Sequence, residues 1–449
     1  MNNNTDIRKT SESNSLNSAA QLGDLSISAP QSDLNTKKDF EEKMAEPAND
    51  TKTPEGPPPD QGYAWVIMVA CFVNVIFAFG SFNAFGVFQT YYLEVLFVDV
   101  PADQIAWIST LCGVFTLSGG LTAGPIIRRI GMRYTSILGT FIACIGLILA
   151  SFSTKVWQLV LTQGVIFGFG CSIIVNISLT APALWFVKHR GAAIGLVASA
   201  GGFGALVLIP VVTKVVEVSN VWWAFRVLCL MYFVCTLAGG MLLKPRIGYT
   251  PINKIIDFSL LKDPVAMYIC LSGFLFNIGY NVPLLYFPAS LVQMGKSENL
   301  ATNLIMVFCT FSALSRFISG YLAKKINPID IMIVSHAISG IIMLAMWYKA
   351  TSFGVHLAFY FLFGFFGLPF FALGPVVTAG HFKHEKISQV NGLSYLVMGF
   401  AVLIGIPSLG AIFQTYGKRT DYSQIIIIGA IFYLLSVIPL VALRHYIKK

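Results

Sequence analysis

The sequence predicts an all-α polytopic membrane protein, with twelve membrane-crossing helices in two six-helix halves. Three observations predict it. Hydrophobic residues make up 55 % of the 449 residues and Asp, Glu, Lys and Arg only 11 %, whereas a soluble domain carries about 25 % charged residues. From Gly62 onward the chain is a series of apolar runs separated by short polar breaks, and each run reaches the roughly 20 residues that a helix needs to cross a bilayer. The second half also repeats the first. Gly124, Arg128, Arg129, Gly168, Phe186 and Arg190 fall, 196 positions later, on Gly320, Lys324, Lys325, Gly364, Phe382 and Lys386. Parallel halves around a central cavity leave such a trace.

Residues 1–61 form the first segment. They are rich in Asn, Ser, Asp, Glu and Pro, with six basic against eleven acidic side chains. Such a stretch buries too little apolar surface to offset the entropy of ordering, so a disordered cytosolic tail is expected. No basic stretch leads at once into an apolar run, so no cleavable signal peptide is expected. Apolar runs follow at 64–91, 104–126, 133–151, 157–184, 191–213 and 222–243, making residues 62–243 the N-terminal half. Residues 244–262, broken at Pro245 and Pro251, read as a cytosolic linker. The C-terminal half, 263–449, holds runs at 264–290, 300–323, 329–347, 352–379, 387–413 and 422–443. Prolines inside these runs, such as Pro182, Pro210, Pro283 and Pro375, suit bundled membrane helices, where neighbours re-satisfy freed carbonyls.

The polar breaks set an orientation. With an even number of spans and an inside amino terminus, the inner breaks hold 16 basic residues: Arg128, Arg129, Arg133, Lys188, Arg190, Lys244, Arg246, Lys254, Lys262, Lys324, Lys325, Lys383, Lys386, Arg444, Lys448 and Lys449. The outer breaks hold six: Lys155, Lys214, Lys296, Lys349, Lys418 and Arg419. The positive-inside rule then places both termini in the cytosol. It also explains the net charge of +9 without nucleic acid as a partner. The expected partners are the lipid bilayer and a small organic solute. The eight Cys lie mostly inside apolar runs without metal-ligand spacing and read as small buried hydrophobes. No nucleophile–base pair, HExxH run, metal cluster or GxxxxGK[ST] loop is present, so neither an enzyme, a cofactor nor an ATP-driven pump is expected.

Polar residues inside the runs are the candidate site. Arg316 is one of two arginines within spans, where a guanidinium is expensive unless it lines a polar cavity or pairs. It is the first candidate for holding an anionic or strongly polar solute. Arg226 follows Trp222 and Trp223, where snorkelling to an interface suffices. Asn83, Asn176, Asn277, Tyr280 and Asn281 supply neutral hydrogen bonds to a solute, or between helices. Phe370 and Phe371 offer an aromatic wall to a planar solute, or a face to lipid. No Asp or Glu lies deep in a span, and His336 is the one histidine well inside a run, so proton coupling stays open.

Several motifs resemble known families. The run from Gly124 to Arg133, G-P-I-I-R-R-I-G-M-R, resembles the loop between helices two and three of the major facilitator superfamily, normally G-x-x-x-D-R-x-G-R-R, with Arg128 where an acidic residue is usual. Asp60 to Trp65, D-Q-G-Y-A-W, resembles the D-G-G-x-G-W signature of the monocarboxylate-porter family. Ala181 to Gly195, A-P-A-L-W-F-V-K-H-R-G-A-A-I-G, resembles its second signature. Lys155 to Leu159 and Thr162 to Gly164 are similar to its fungal branch. The resemblance implies a major facilitator fold and a secondary transporter working by alternating access. It implies gating by Arg128, Arg129, Arg133, Lys188 and Arg190. Lactate-type members place a lysine where this chain has Asn83 and an aspartate where it has Ser312, while their arginine matches Arg316. The implied solute is a small monocarboxylate, or riboflavin or a related planar metabolite. A non-transporting sensor or interaction protein is the reading from another class. The plasma membrane is the default location, with the vacuole or another internal membrane as the alternative.

The charge asymmetry is testable with epitope tags in cells. Tags at either terminus are expected to stain only after permeabilisation, and a tag between 92 and 103 to stain intact cells if the protein is at the surface. A terminal tag that stains sealed cells would overturn the orientation.

Overall fold

A computed structural model describes residues 56–246, 258–348, 350, 352–418 and 420–448. The expectations for residues 1–55, for the linker stretch 247–257 with Lys254, and for Lys349, Arg419 and Lys449 lie outside the described residues. Helices account for nearly all of the rest, with no strand among the described residues. A bilayer offers the backbone no hydrogen-bond partner, so a spanning segment closes its bonds internally.

The helices are α1 (Tyr63–Tyr91), α2 (Ala102–Ser118), α3 (Ala123–Ala150), α4 (Val156–Trp185), α5 (Arg190–Val218) and α6 (Val221–Leu242). The series continues with α7 (Pro264–Gln293), α8 (Glu298–Leu322), α9 (Pro328–Trp347), α10 (Phe353–His381), α11 (His384–Thr415) and α12 (Ser423–Lys448). Local chemistry starts several of them. Asp263 and Asn327 accept backbone N–H bonds at the starts of α7 and α9, each followed by a proline, a pairing that supplies an acceptor and removes one orphan donor. Ser297 and Asn220 cap α8 and α6 in the same way.

Two expectations change. The predicted break at 127–132 is far shorter: Gln104–Ala150 runs as 47 helical residues, about 70 Å if straight. Gly131 interrupts it with φ 85° and ψ 161°, a region that side-chain-bearing residues avoid. This one glycine divides the rod into two segments, so the eleven helical stretches long and apolar enough to cross a membrane among the described residues comprise twelve segments. Conversely, the run 352–379 is not one helix. Phe353–Phe366 and Phe370–His381 are separate segments of α10, because Pro369 has no N–H to continue the ladder. The freed carbonyls are met from neighbouring helices. Tyr433 donates to Gly367 O at 3.0 Å, and Ser315 donates to Phe365 O.

Glycines let the helices touch. A Cβ on Gly80 of α1 would lie 2.7 Å from the backbone of Gly204 on α5. A Cβ on Gly168 of α4 would meet Cys112 O at 2.9 Å and Phe115 Cβ at 3.0 Å; one on Gly364 of α10 would meet Phe308 O at 3.2 Å and Phe311 Cβ at 3.1 Å. All three positions in the second contact stand 196 residues after those in the first, so the sequence repeat is also a repeat of packing. Across the middle, α5 lies on α8 through Gly191, Gly195, Gly202 and Gly320, and α2 continues into a turn that lies on α11 at Gly392. Outward-facing side chains such as Val69, Phe141, Ile145, Leu230 and Ile438 are exposed and apolar, as a lipid-facing surface requires. All eight cysteines are free, and all but Cys235 are buried.

At the α5–α8 seam, a Cβ on Gly320 would stand 2.6 Å from Gly195 Cα. Gly320→Ala must separate two backbones, and overpacking of this kind costs roughly 1–3 kcal/mol. Thermal unfolding in detergent is expected to show a lower midpoint for Gly320→Ala. Gly86→Ala, where a Cβ meets open space, is expected to melt like the parent.

Candidate functional site

Arg316 lies on α8, partly buried within the bundle. It sits one turn before Gly320, so the seam brings it against α5 backbone to backbone. Its carbonyl would touch a Cβ on Gly195, and its Nη1 donates to Ala198 O at 3.0 Å. From the other side, Asn83 of α1 donates through Nδ2 to Gly201 O, one turn further along α5, at 3.2 Å. A guanidinium and an amide from two helices thus converge on one stretch of a third. Phe79 lies in the same place, 3.0 Å from where a Gly201 Cβ would be.

The guanidinium carbon stands 5.1 Å from the centroid of Phe371, a cation–π contact. Phe371 is the second residue of the second segment of α10, so the break after Phe366 aims it. Behind it lies an aromatic block. Phe276 stacks on Tyr280 at 5.9 Å and on Phe370 at 5.1 Å, and its edge meets Phe371 at 5.4 Å. Tyr280 meets Phe371 at 5.8 Å. Arg316, Asn83, Tyr280 and Phe371 all keep partial exposure, although they lie well inside the bundle. Arg316 Nε has no hydrogen-bond partner, and no carboxylate pairs with the guanidinium among the described residues.

Other predicted site residues sit elsewhere. Asn281 donates to Asn277 O at 2.7 Å and to its Oδ1 at 3.0 Å, a buried pair one turn apart on α7. Asn176 of α4 exchanges bonds with Ser388 of α11: its Nδ2 donates to the backbone at 3.3 Å, and Ser388 Oγ donates to its Oδ1 at 2.6 Å. This places Asn176 in a contact between the two sets of six helices. His336 is fully buried, with Nδ1 2.7 Å from Ser436 Oγ and its ring stacked on Phe276 at 5.1 Å.

At the end of the bundle that carries the basic turns, hydrogen bonds join the two sets of six helices. Arg190 Nη1 donates to Ala379 O of α10 at 2.9 Å, and its Nε holds Phe186 O at 3.1 Å. Arg128 donates to the backbone carbonyl of Glu385 at the start of α11. Arg129, Arg133 and Lys188 are exposed. So two of the five expected gating cations cross between the helix sets.

The two signature runs, far apart in sequence, meet in space. Asp60 Oδ2 accepts from the backbone N–H groups of Val187 and Lys188, both at 3.0 Å, and Oδ1 accepts from that of His189 at 2.9 Å. Tyr63 packs on Trp185 at 5.7 Å and Trp65 on Phe186 at 5.3 Å. Tyr63 also donates to Leu242 O at 2.7 Å. This clasp ties the start of α1 to the turn that aims Arg190. Sequence reading missed it, because a carboxylate before a span has no mark that names a partner over 120 residues away. Burial alone would raise the Asp60 carboxyl, but the backbone donors of Lys188, His189 and Val187 outweigh it and hold the group below its ordinary 3.8.

The profile of the Major Facilitator Superfamily matches residues 70–350 and again 269–448. The chain belongs to this superfamily. It is a multi-pass membrane transporter of a small solute, built on the all-helical fold of that group. It is 28 % identical over 401 residues to the MFS transporter asaE of Aspergillus flavus, covering 87 % of this chain and 90 % of that one. It is 26 % identical over 418 residues to the riboflavin transporter MCH5 of Saccharomyces cerevisiae, covering 86 % and 79 %. The solved proton:xylose symporter XylE superposes with a TM-score of 0.69 at 13 % identity, covering 84 % of this chain and 94 % of that one.

The clasp yields a pH signature. A carboxyl whose folded pKa is depressed contributes stability that is present above the ordinary value and is lost as pH falls through the folded value. Asp60→Asn removes the charge and turns one acceptor into a donor facing N–H groups. Charged hydrogen bonds contribute about 1.5–3 kcal/mol, so the variant is expected to melt lower at neutral pH. The gap is expected to hold down to about pH 5 and to close as pH falls below 3.8. Melting curves of both proteins across pH check this, and a gap independent of pH would remove the charge from the explanation.

Proposed function

We propose that this transporter carries a planar, oxygen-rich organic solute of the riboflavin kind, by alternating access and without proton coupling, within a monocarboxylate-porter-like branch. The observation that carries the reading is Arg316. Its charge is held over an aromatic face with no carboxylate partner among the described residues. A cation so placed favours an electron-rich or anionic group, and the adjoining rings favour a flat one. The similarity to a riboflavin transporter supports the same class.

The uncoupled mechanism follows from what can take up a proton. No carboxylate lies deep in a span. The imidazole of His336 is enclosed by Phe276, Phe370 and Tyr433, where a protonated ring would have no charged partner. A small monocarboxylate is the second reading, favoured by the same arginine and by the two signatures at Asp60–Trp65 and Ala181–Gly195. In either case residues 62–243 and 263–449 act as the two moving halves, linked through 244–262. The basic end is the cytosolic one, held by Arg190, Arg128 and the Asn176–Ser388 pair. The plasma membrane is the proposed site of action.

Transport in liposomes tests the role of Arg316. A lost charged contact is worth about 1.5–3 kcal/mol, or roughly ten- to hundredfold in affinity. Arg316→Gln is expected to lower riboflavin uptake by that factor at equal folded protein. Arg316→Lys keeps the charge but not the planar fork, so partial recovery is expected. Arg226→Gln is expected to be mild, because that guanidinium rests on Trp223 and Phe152 near the surface. Unchanged kinetics for Arg316→Gln would remove it from the site.

A further inference from the structure

A small void lies between the second segment of α10 and α11, lined by Phe370, Gly374, Thr378, Asn391, Ser394 and Tyr395. Asn391 and Tyr395 are 2 % and 5 % exposed. Neither Asn391 Nδ2 nor Tyr395 Oη has a hydrogen-bond partner. The two stand one turn apart on one face of α11, so their polar ends point the same way. Thr378, also in the lining, gives its own proton to Gly374 O at 3.1 Å. A buried donor without a partner costs about 1–3 kcal/mol. The void measures about 10 Å³, room for a single water-sized group such as one oxygen atom of a ligand.

Its position says which. Phe370 forms one wall, and the next residue, Phe371, carries Arg316 on its ring. We propose that Asn391 and Tyr395 form a second polar subsite of the transport site, taking a carbonyl oxygen of the solute while Arg316 holds its other edge. This rests on the reading of a planar, oxygen-rich solute. It adds a requirement for two separated acceptor groups, which a simple monocarboxylate does not meet. Arg316 alone selects for charge; the α11 pair selects for a second oxygen.

The experiment has two arms on purified protein in lipid nanodiscs. In the first, Ser394→Cys and Thr378→Cys are treated with methyl methanethiosulfonate and read by peptide mass spectrometry, with and without riboflavin. Reaction at both thiols, slowed by riboflavin, is expected. Thiols that stay unmodified in folded protein would show a sealed water pocket and overturn the proposal. In the second arm, riboflavin and benzoate binding are measured for Tyr395→Phe, Asn391→Leu and Arg316→Gln. The two α11 variants are expected to weaken riboflavin about tenfold and to leave benzoate within about twofold. Arg316→Gln is expected to weaken both. Equal loss of both probes in the α11 variants would assign Asn391 and Tyr395 to packing and overturn the subsite. If neither probe binds the parent protein, the substrate reading fails. The thiol arm then decides the subsite by itself, reaction at both positions supporting it.

Discussion

The contact on which the rest depends is the seam between α5 and α8. Two helices normally keep 8–10 Å between axes because side chains intervene. Here glycines at 191, 195, 202 and 320 remove them, and backbone meets backbone. The consequence for function is geometric. Arg316 lies inside this seam, so its guanidinium reaches the Ala198 carbonyl directly across it. A looser seam would leave that carbonyl out of reach and let the arginine swing away from Phe371. The same closeness lets Asn83 reach Gly201 from α1, since α1 itself lies on α5 at Gly80 and Gly204. Small residues therefore place the charge, and the charge in turn needs the aromatic face to make its burial tolerable.

A second tier of contacts joins the helix sets at the basic end. Arg190 is fixed twice over: by the helix start that the Asp60 clasp organises, and by the α10 carbonyl it grips. Arg128 reaches a carbonyl at the start of α11, where the helix dipole disfavours a cation. The bonds that Arg190 and Arg128 make across the helix sets end on backbone oxygens, so the arrangement is held by directed but modest bonds. A transporter needs that balance, because a gate made from buried ion pairs would be hard to open.

The twelve helices were legible because a bilayer allows so few solutions. Length and apolarity alone place each span within a few residues. What sequence reading missed depends on one residue or on distant partners. The break between the second and third crossings is a single left-handed glycine, Gly131, inside an unbroken helical pattern. The α10 break was marked by Pro369, yet the uninterrupted apolar character around it concealed two segments. Arg316 and Asn83 stood out because a polar group in a span calls for a reason. Asn391 and Tyr395 did not, since α11 is rich in small polar residues and nothing local marks which of them lack partners. Asn176 drew attention for the right physical reason but proved to be tied to Ser388. An unexplained polar group in a membrane signals a partner, and only the fold says whether that partner is solute or protein.

The paired glycine contacts also match between the two halves of the chain. Gly168 and Gly364 occupy matching positions against the preceding even-numbered helix of their own set, yet the residues they touch have diverged from Cys112 to Phe308. The contact survives through the carbonyl, which belongs to every residue type. An ancestral six-helix unit that doubled would keep such backbone-to-glycine contacts in both copies, leaving side chains free to drift. Around Arg316 the later half supplies the charge and the rings of Phe371 and Tyr280, while the earlier half supplies the Ala198 carbonyl and the Asn83 amide.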